Sequence, residues 1–216
     1  NLDNQKKEFI ERFFTTVQFV MAGNDTQSLR YAPIETPEKY YLTWKEDSEV
    51  ENPLDCALLQ LCEKKRFLEL IHDFTVFDAG TKKLCRHNQY FGVKAAQERI
   101  RKREGGIIWH TQGSGKSLTM VWLAKWIHEN VKNARVLIIT DRIELDQQIE
   151  GVFKGVEEDI RRTKSGADLV SKLNDTKYWL IGSLIHKFPG QEEGNVSEYV
   201  EDLKNSLPKN FKAKGD

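Results

Sequence analysis

The stretch WHTQGSGKSLTM, Trp109 to Met120, decides how the rest of the chain is read. Gly115, Lys116 and Ser117 fit the end of the phosphate-binding signature G-x-x-x-x-G-K-[ST], whereas His110 stands where that signature has its first glycine. The setting matters more than the departure. Gly113 and Gly115 tolerate positive φ, which turns successive backbone N–H groups inward as an anion nest. A helix opening near Lys116 aims its positive end at the same place. The spacing predicts a triphosphate cradle made of Thr111, Gln112, Gly113, Ser114, Gly115, Lys116 and Ser117. In it Lys116 is the catalytic cation on the β- and γ-phosphates and Ser117 the Mg²⁺ ligand. The same letters suit an ordinary glycine-rich turn with a solvated lysine. The order strand, loop, helix, strand favours the cradle.

That order extends on both sides. GIIW (106–109) reads as a short buried strand before the loop, and a helix is predicted from about Lys116 to Glu129. VLIIT (136–140) reads as a second strand, RIELDQQIEGVF (142–153) as an amphipathic helix and YWLIGS (178–183) as a third strand. Apolar runs that are continuous rather than alternating signal a parallel sheet covered on both faces, so the predicted fold class is α/β.

Upstream the pattern differs. QKKEFIERFF (5–14) carries a helical stripe, TTVQFVMA (15–22) reads as a strand, Gly23-Asn24-Asp25 as a turn and LRYAPI (29–34) as a second strand. The second half of 36–53 is acid-rich and reads as a linker. From Leu54 one helical pattern runs through Leu61, Phe67 and Ile71 towards Phe74. FTVFD (74–78) precedes an Ala79-Gly80 turn. NQYFGVKAAQERIRKR (88–103) is predicted helical, with Tyr90 or Phe91, Ala95 and Ile100 facing inward.

The chain's 216 residues suffice for one large or two small domains, and 39% apolar with 31% charged is ordinary for a globular protein. Lys plus Arg equals Asp plus Glu at 33 each, so any polyanion partner must be held by local basic surface rather than bulk charge. Cys56, Cys62 and Cys85 show no ligand-like spacing and are expected to be reduced, buried thiols. The longest apolar run, VLII, is too short to span a bilayer, and no leader is legible, which makes the cytoplasm the default compartment with no membrane partner. A start at Asn1 and an end at Lys214-Gly215-Asp216 read as an internal fragment.

WHTQGSGKS followed by VLIITDRIELDQQI resembles the R (motor) subunit of type I restriction endonucleases, a superfamily 2 DNA translocase. The resemblance covers residues 86 to 189 well and the earlier part loosely. It implies a partial RecA-like domain over 86–216, a helical connector over 46–85 and the tail of an α/β nuclease-like domain over 1–45. The TDR word puts Thr140, Asp141 and Arg142 against DNA, at the C-terminal end of a parallel strand where ligands bind. Without the resemblance, Asp141 equally suits a helix cap and Arg142 a solvated side chain. RHNQYFGV (86–93) is similar to the family's glutamine motif, so Gln89 is the implied reader of adenine. In YWLIGSLIHKF, Gly182-Ser183 and His186 replace the family's threonines and glutamine, while Lys187-Phe188 agree; Ser183 is the implied donor to DNA phosphate. Glu63-Lys64-Lys65 matches a nuclease E-x-K word, but its surroundings read as helix surface. The acidic box is expected after Asp216, so these residues alone should hydrolyse ATP poorly. The resemblance further implies double-stranded DNA, a methyltransferase (M) subunit and a specificity (S) subunit as partners, and DNA cleavage by the intact protein. The alternatives are another superfamily 2 helicase, a P-loop small-molecule kinase, and a nucleotide-sensing assembly module that does not turn over.

Overall fold

In the computed structural model, residues 11–185 are described. Most of the helix expected over 5–14, and the words at His186, Lys187, Phe188 and Asp216, lie outside them. Contacts gather the chain into two compact units. One comprises the chain up to Ala95 together with His110–Ser114, and the other Ala96–Trp109 together with the chain from Gly115 on.

The first unit opens on a single helical turn, α1 (Glu11–Phe14), followed by an antiparallel meander of β1 (Val20–Asn24), β2 (Ser28–Ala32) and β3 (Leu42–Thr43). The β1–β2 connection is an Asx turn: Asn24 Oδ1 accepts from the amides of Thr26 and Gln27 at 3.0 and 2.7 Å. Helix α2 (Pro53–Leu61) packs on β2, its first turn capped by Asn52 Oδ1 at 2.9 and 3.1 Å from the Leu54 and Asp55 amides.

The long helix expected from Leu54 is in fact two. Its apolar spacing carries through Cys62, but Glu63 leaves helical geometry, and its carboxylate accepts from the Lys65 and Arg66 amides to begin α3 (Lys64–His72). A cap outweighs periodicity because it satisfies amides that have no intrahelical partner. Those donations, from Arg66 and then Lys65, hold the Glu63 carboxyl below its ordinary pKa. Glu63 is therefore a cap, and the E-x-K word lies on no strand. The acid-rich segment read as a linker is tied down: Glu46 takes both terminal nitrogens of Arg66, at 2.8 and 3.3 Å. The Arg66 guanidinium in turn lies 5.0 Å from the Trp44 ring centre and 5.6 Å from that of Tyr90.

A hairpin follows, β4 (Thr75–Asp78) with β5 (Thr81–Leu84) about the predicted Ala79-Gly80 turn. Helix α4 (His87–Arg101) matches the expected span, but its phase differs. Gln89, Tyr90, Val93 and Gln97 are buried, and Ala95 is exposed. Two glutamines on the inward stripe hid the true face from a count of apolar letters. Glu69 links α3 to α4, accepting from Tyr90 Oη at 2.6 Å and Lys94 Nζ at 2.8 Å.

In the second unit, α5 (Lys116–Asn130) leads to β6 (Val136–Thr140), α6 (Ile143–Gly155), β7 (Arg161–Arg162), α7 (Gly166–Asn174) and β8 (Leu180–Leu184). The three strands form a parallel sheet in the order β6-β8-β7, so the chain is α/β as expected. Every residue of β8 is buried. Trp122, Val121, Phe153, Leu180 and Ile181 make the core. Arg162 on β7 ties to Asp146 and, at 2.9 Å, to Glu150 on α6.

The strand expected at GIIW does not form. Residues 106–109 have no regular structure, and Ile107 and Trp109 are 89% and 90% exposed. Among the described residues no strand lies beside them, and an apolar run becomes a strand only when a neighbour takes its backbone groups. Short β7 is the third strand of the sheet instead. The thiols also depart from expectation: Cys85 is buried, Cys56 half-buried and Cys62 exposed.

Two side chains set measurable stability. Arg135, leading into β6, donates to the carbonyls of Leu173, Lys172 and, at 2.7 Å, Asp175, thereby closing the C-terminal end of α7. Arg135→Ala should cost about 1–3 kcal/mol in a urea titration followed by helical signal; an unchanged midpoint contradicts this closure. Burial pushes the Glu69 carboxyl up, but the bonds from Lys94 and Tyr90 outweigh it and hold the pKa below the ordinary 4.5. A depressed carboxyl adds stability above its unfolded pKa and loses it as pH falls through the folded one. Wild type should therefore lose stability on acidification from about pH 5 downward more steeply than Glu69→Gln. Parallel acid limbs contradict this.

Candidate functional site

The phosphate-loop word runs along the chain from one unit into the other. On the first side, Ser114 is buried and turns the loop back on itself: its Oγ donates to the Thr111 carbonyl at 2.7 Å, and its amide reaches the same oxygen at 3.4 Å. Gly113 sits at φ +75, and its carbonyl accepts from Arg86 Nη1 at 3.2 Å. Thr111, Gln112 and Gly113 are exposed.

On the second side, Gly115 is left-handed at φ +83 and ψ +34 and is the N-cap of α5. A side chain at either glycine would be strained in that backbone region, which is the reason glycine stands there. Gly115 brings no side-chain cap to the first turn of α5, whereas Asn52, Glu63 and Ser165 cap α2, α3 and α7 with side-chain oxygens. Lys116 is the first residue of α5 and is exposed; Ser117 follows, half-buried. Thr119 Oγ1 donates back to the Gly115 carbonyl at 3.3 Å. Gly115 therefore offers no side-chain oxygen to the first amides of α5. His110 is half-buried.

Gln89 is buried, and its Oε1 accepts from the Arg86 amide at 2.8 Å, a capping-box contact at the start of α4. One lone pair of that oxygen is therefore committed within the protein.

At the end of β6, Thr140 is buried with its hydroxyl oxygen lacking a hydrogen-bond partner. The next two residues turn outward. Asp141 and Arg142 have side chains 64% and 77% exposed and pair at 3.6 Å. Arg142, not Asp141, is the N-cap of α6, so the capping alternative for Asp141 is not the one adopted. Ser183 lies inside β8 at 1% exposure, and its Oγ accepts from Thr163 Oγ1 at 2.8 Å. Arg86 and Thr163 are the two contacts that sequence reading did not assign; the arginine of R-x-x-Q-Y-F was the one available signal.

Residues 88–208 match the SWI2/SNF2 ATPase family. The chain is 32% identical over 166 residues to the MjaIXP endonuclease subunit of Methanocaldococcus jannaschii, named for a type I restriction enzyme, covering 71% of this chain and 16% of that protein. A second subunit of that organism, MjaVIIIP, is 28% identical over 94% of this chain and 22% of its own length. The type I restriction enzyme HindI endonuclease subunit of Haemophilus influenzae is 30% identical over 52% of this chain and 12% of its own. The chain thus spans about a fifth or less of the length of these relatives.

The burial of Ser183 sets a direct test. Ser183→Ala should destabilise the fold by about 1 kcal/mol through loss of the Thr163 bond. Duplex affinity at matched folded fraction should stay unchanged. A fall in DNA affinity with no loss of stability would assign the hydroxyl to DNA instead.

Proposed function

The chain belongs to the SWI2/SNF2 ATPase family, and from that premise we propose that it is the nucleotide-binding part of a DNA-translocating type I restriction R subunit, which takes ATP and Mg²⁺ at the Gly113–Ser117 loop. One observation carries the reading: two left-handed glycines lead into a helix whose first turn has no side-chain cap and begins with Lys116 and Ser117. These residues fit a triphosphate with its metal, since backbone donors, one ammonium and one hydroxyl are the groups such a tail requires. Bound ATP with Mg²⁺ supplies a transferable phosphoryl group. Lys116 neutralises charge on the β- and γ-oxygens, Ser117 offers its hydroxyl to the metal, and the amides of residues 111–115 orient the tail.

Gln89 is the reader of the adenine edge, through its side-chain amide. Asp141 and Arg142, at the C-terminal end of β6, are the groups that meet the DNA backbone, with Thr140 and Ser183 seated beneath them. A guanidinium there holds phosphate and carries no base information. The partners are double-stranded DNA and the M and S subunits of a restriction-modification complex, with cleavage residing in the intact protein. Among the described residues no helix is long and apolar enough to cross a membrane, in keeping with work in the cytoplasm. The similarity to three type I endonuclease subunits favours this reading over another superfamily 2 helicase.

Lys116→Ala should weaken MgATP binding roughly ten- to hundredfold, the loss expected for one charge-assisted contact of about 1.5–3 kcal/mol. Isothermal titration of the two proteins checks it. Equal affinities, or wild-type binding that ignores Mg²⁺, would remove the loop from the site.

A further inference from the structure

Arg86 opens the RHNQYFGV word, three residues before Gln89 and 27 before Gly113. Its backbone is pinned from every side. The preceding residue, Cys85, is fully buried; its amide donates to the Phe74 carbonyl at 3.2 Å, and its carbonyl accepts from Tyr31 Oη at 3.1 Å. The Arg86 amide donates to Gln89 Oε1 at 2.8 Å, and its carbonyl accepts from the Tyr90 amide at 3.0 Å. From this rigid mount the exposed side chain reaches 27 residues along the chain to the Gly113 carbonyl at 3.2 Å.

That carbonyl is a telling target. The Gly113 C=O and the Ser114 N–H point in opposite directions within one rigid peptide plane, so fixing the oxygen fixes where the amide points. The Ser114 amide has only a long 3.4 Å bond to Thr111 to orient it otherwise. An anion nest needs its carbonyls turned out and its amides turned in. A guanidinium gripping the outward oxygen holds the loop in that sense and adds a positive charge beside it.

We propose that Arg86 is a positioning residue for the phosphate loop: it sets the Gly113–Ser114 peptide plane and couples the start of α4, where Gln89 sits, to the polyphosphate seat. The proposal rests on the phosphate-loop reading above. It makes a prediction that base reading does not. Arg86 acts on the loop and not on the base, so its loss must weaken any polyphosphate, with or without adenine.

The test uses the full chain with MgATP and with inorganic tripolyphosphate as paired titrants. Arg86→Met, which keeps the aliphatic stem, is expected to weaken both by the same factor, about five- to tenfold, the range of one modest hydrogen bond plus charge. Its ligand-free melting curve should be unchanged, because the guanidinium is exposed. Arg86→Lys, which keeps the charge and one donor, should recover both affinities to within about threefold of wild type. Should Arg86→Met fail to fold, the lysine variant decides alone: a twofold to threefold loss for both titrants supports the role, and no loss overturns it. Weakening of ATP alone overturns loop positioning in favour of base contact. Wild-type binding with unchanged variants overturns this inference and leaves the phosphate-loop reading intact. A wild type that binds neither titrant removes both.

Discussion

Burial of β8 on every residue is the constraint around which the second unit is organised. A strand covered on both faces must pair its backbone on both edges and keep polar atoms satisfied inside. Both demands are met. β6 and β7 flank it in parallel, and the one hydroxyl it buries, on Ser183, bonds to Thr163. The parallel arrangement then brings the C-terminal ends of β6 and β8 together, since Thr140 stands opposite Leu184. Helices α5 and α6 pack against each other, and α6 covers β6 and β8, so the chain emerges at Asp141 and Arg142 on the rim where α/β sheets present ligands.

The first unit solves a different problem with a different material. Its core is aromatic: Tyr31, Trp44, Phe74 and Tyr90, with the rings of Trp44 and Tyr90 5.4 Å apart and those of Phe74 and Tyr90 4.8 Å apart. Arg66 and Glu69 place charge against these rings, and each is answered by a partner, Glu46 in one case and Lys94 in the other. Stiff packing of this kind gives Cys85 and Arg86 a fixed position. A fixed position is what a residue needs in order to orient a loop far away in sequence. The Arg86 contact with the Gly113 carbonyl is visible only once the core beneath it is assembled.

Much of this was legible in the letters. The glycine spacing of the loop, the helix after it, the runs VLIIT and YWLIGS, the Ala79-Gly80 turn and the helix over 88–103 all answer to local rules of backbone freedom and periodicity. The resemblance carried by WHTQGSGKS and VLIITDRIELDQQI reached the right family, as the relatives in Methanocaldococcus and Haemophilus bear out. Where reading failed, a missing neighbour strand, a side-chain cap or a buried polar residue had outweighed the apolar pattern. GIIW is apolar enough for a strand but has no strand beside it. The break at Glu63 came from capping, and β7 and α7 follow a stretch whose sequence shows no strong period. The inward face of α4 was misphased because two of its buried positions are glutamines.

By itself, then, the amino-acid order determined where the backbone can take left-handed turns and which family the chain belongs to, because those depend on residue types a few positions apart. Only the tertiary structure decided that Ser183 is buried against Thr163 and that Arg86 holds the Gly113 carbonyl. These are matters of which groups meet across long separations, and a hydrogen bond spanning 27 residues leaves no mark in local spacing.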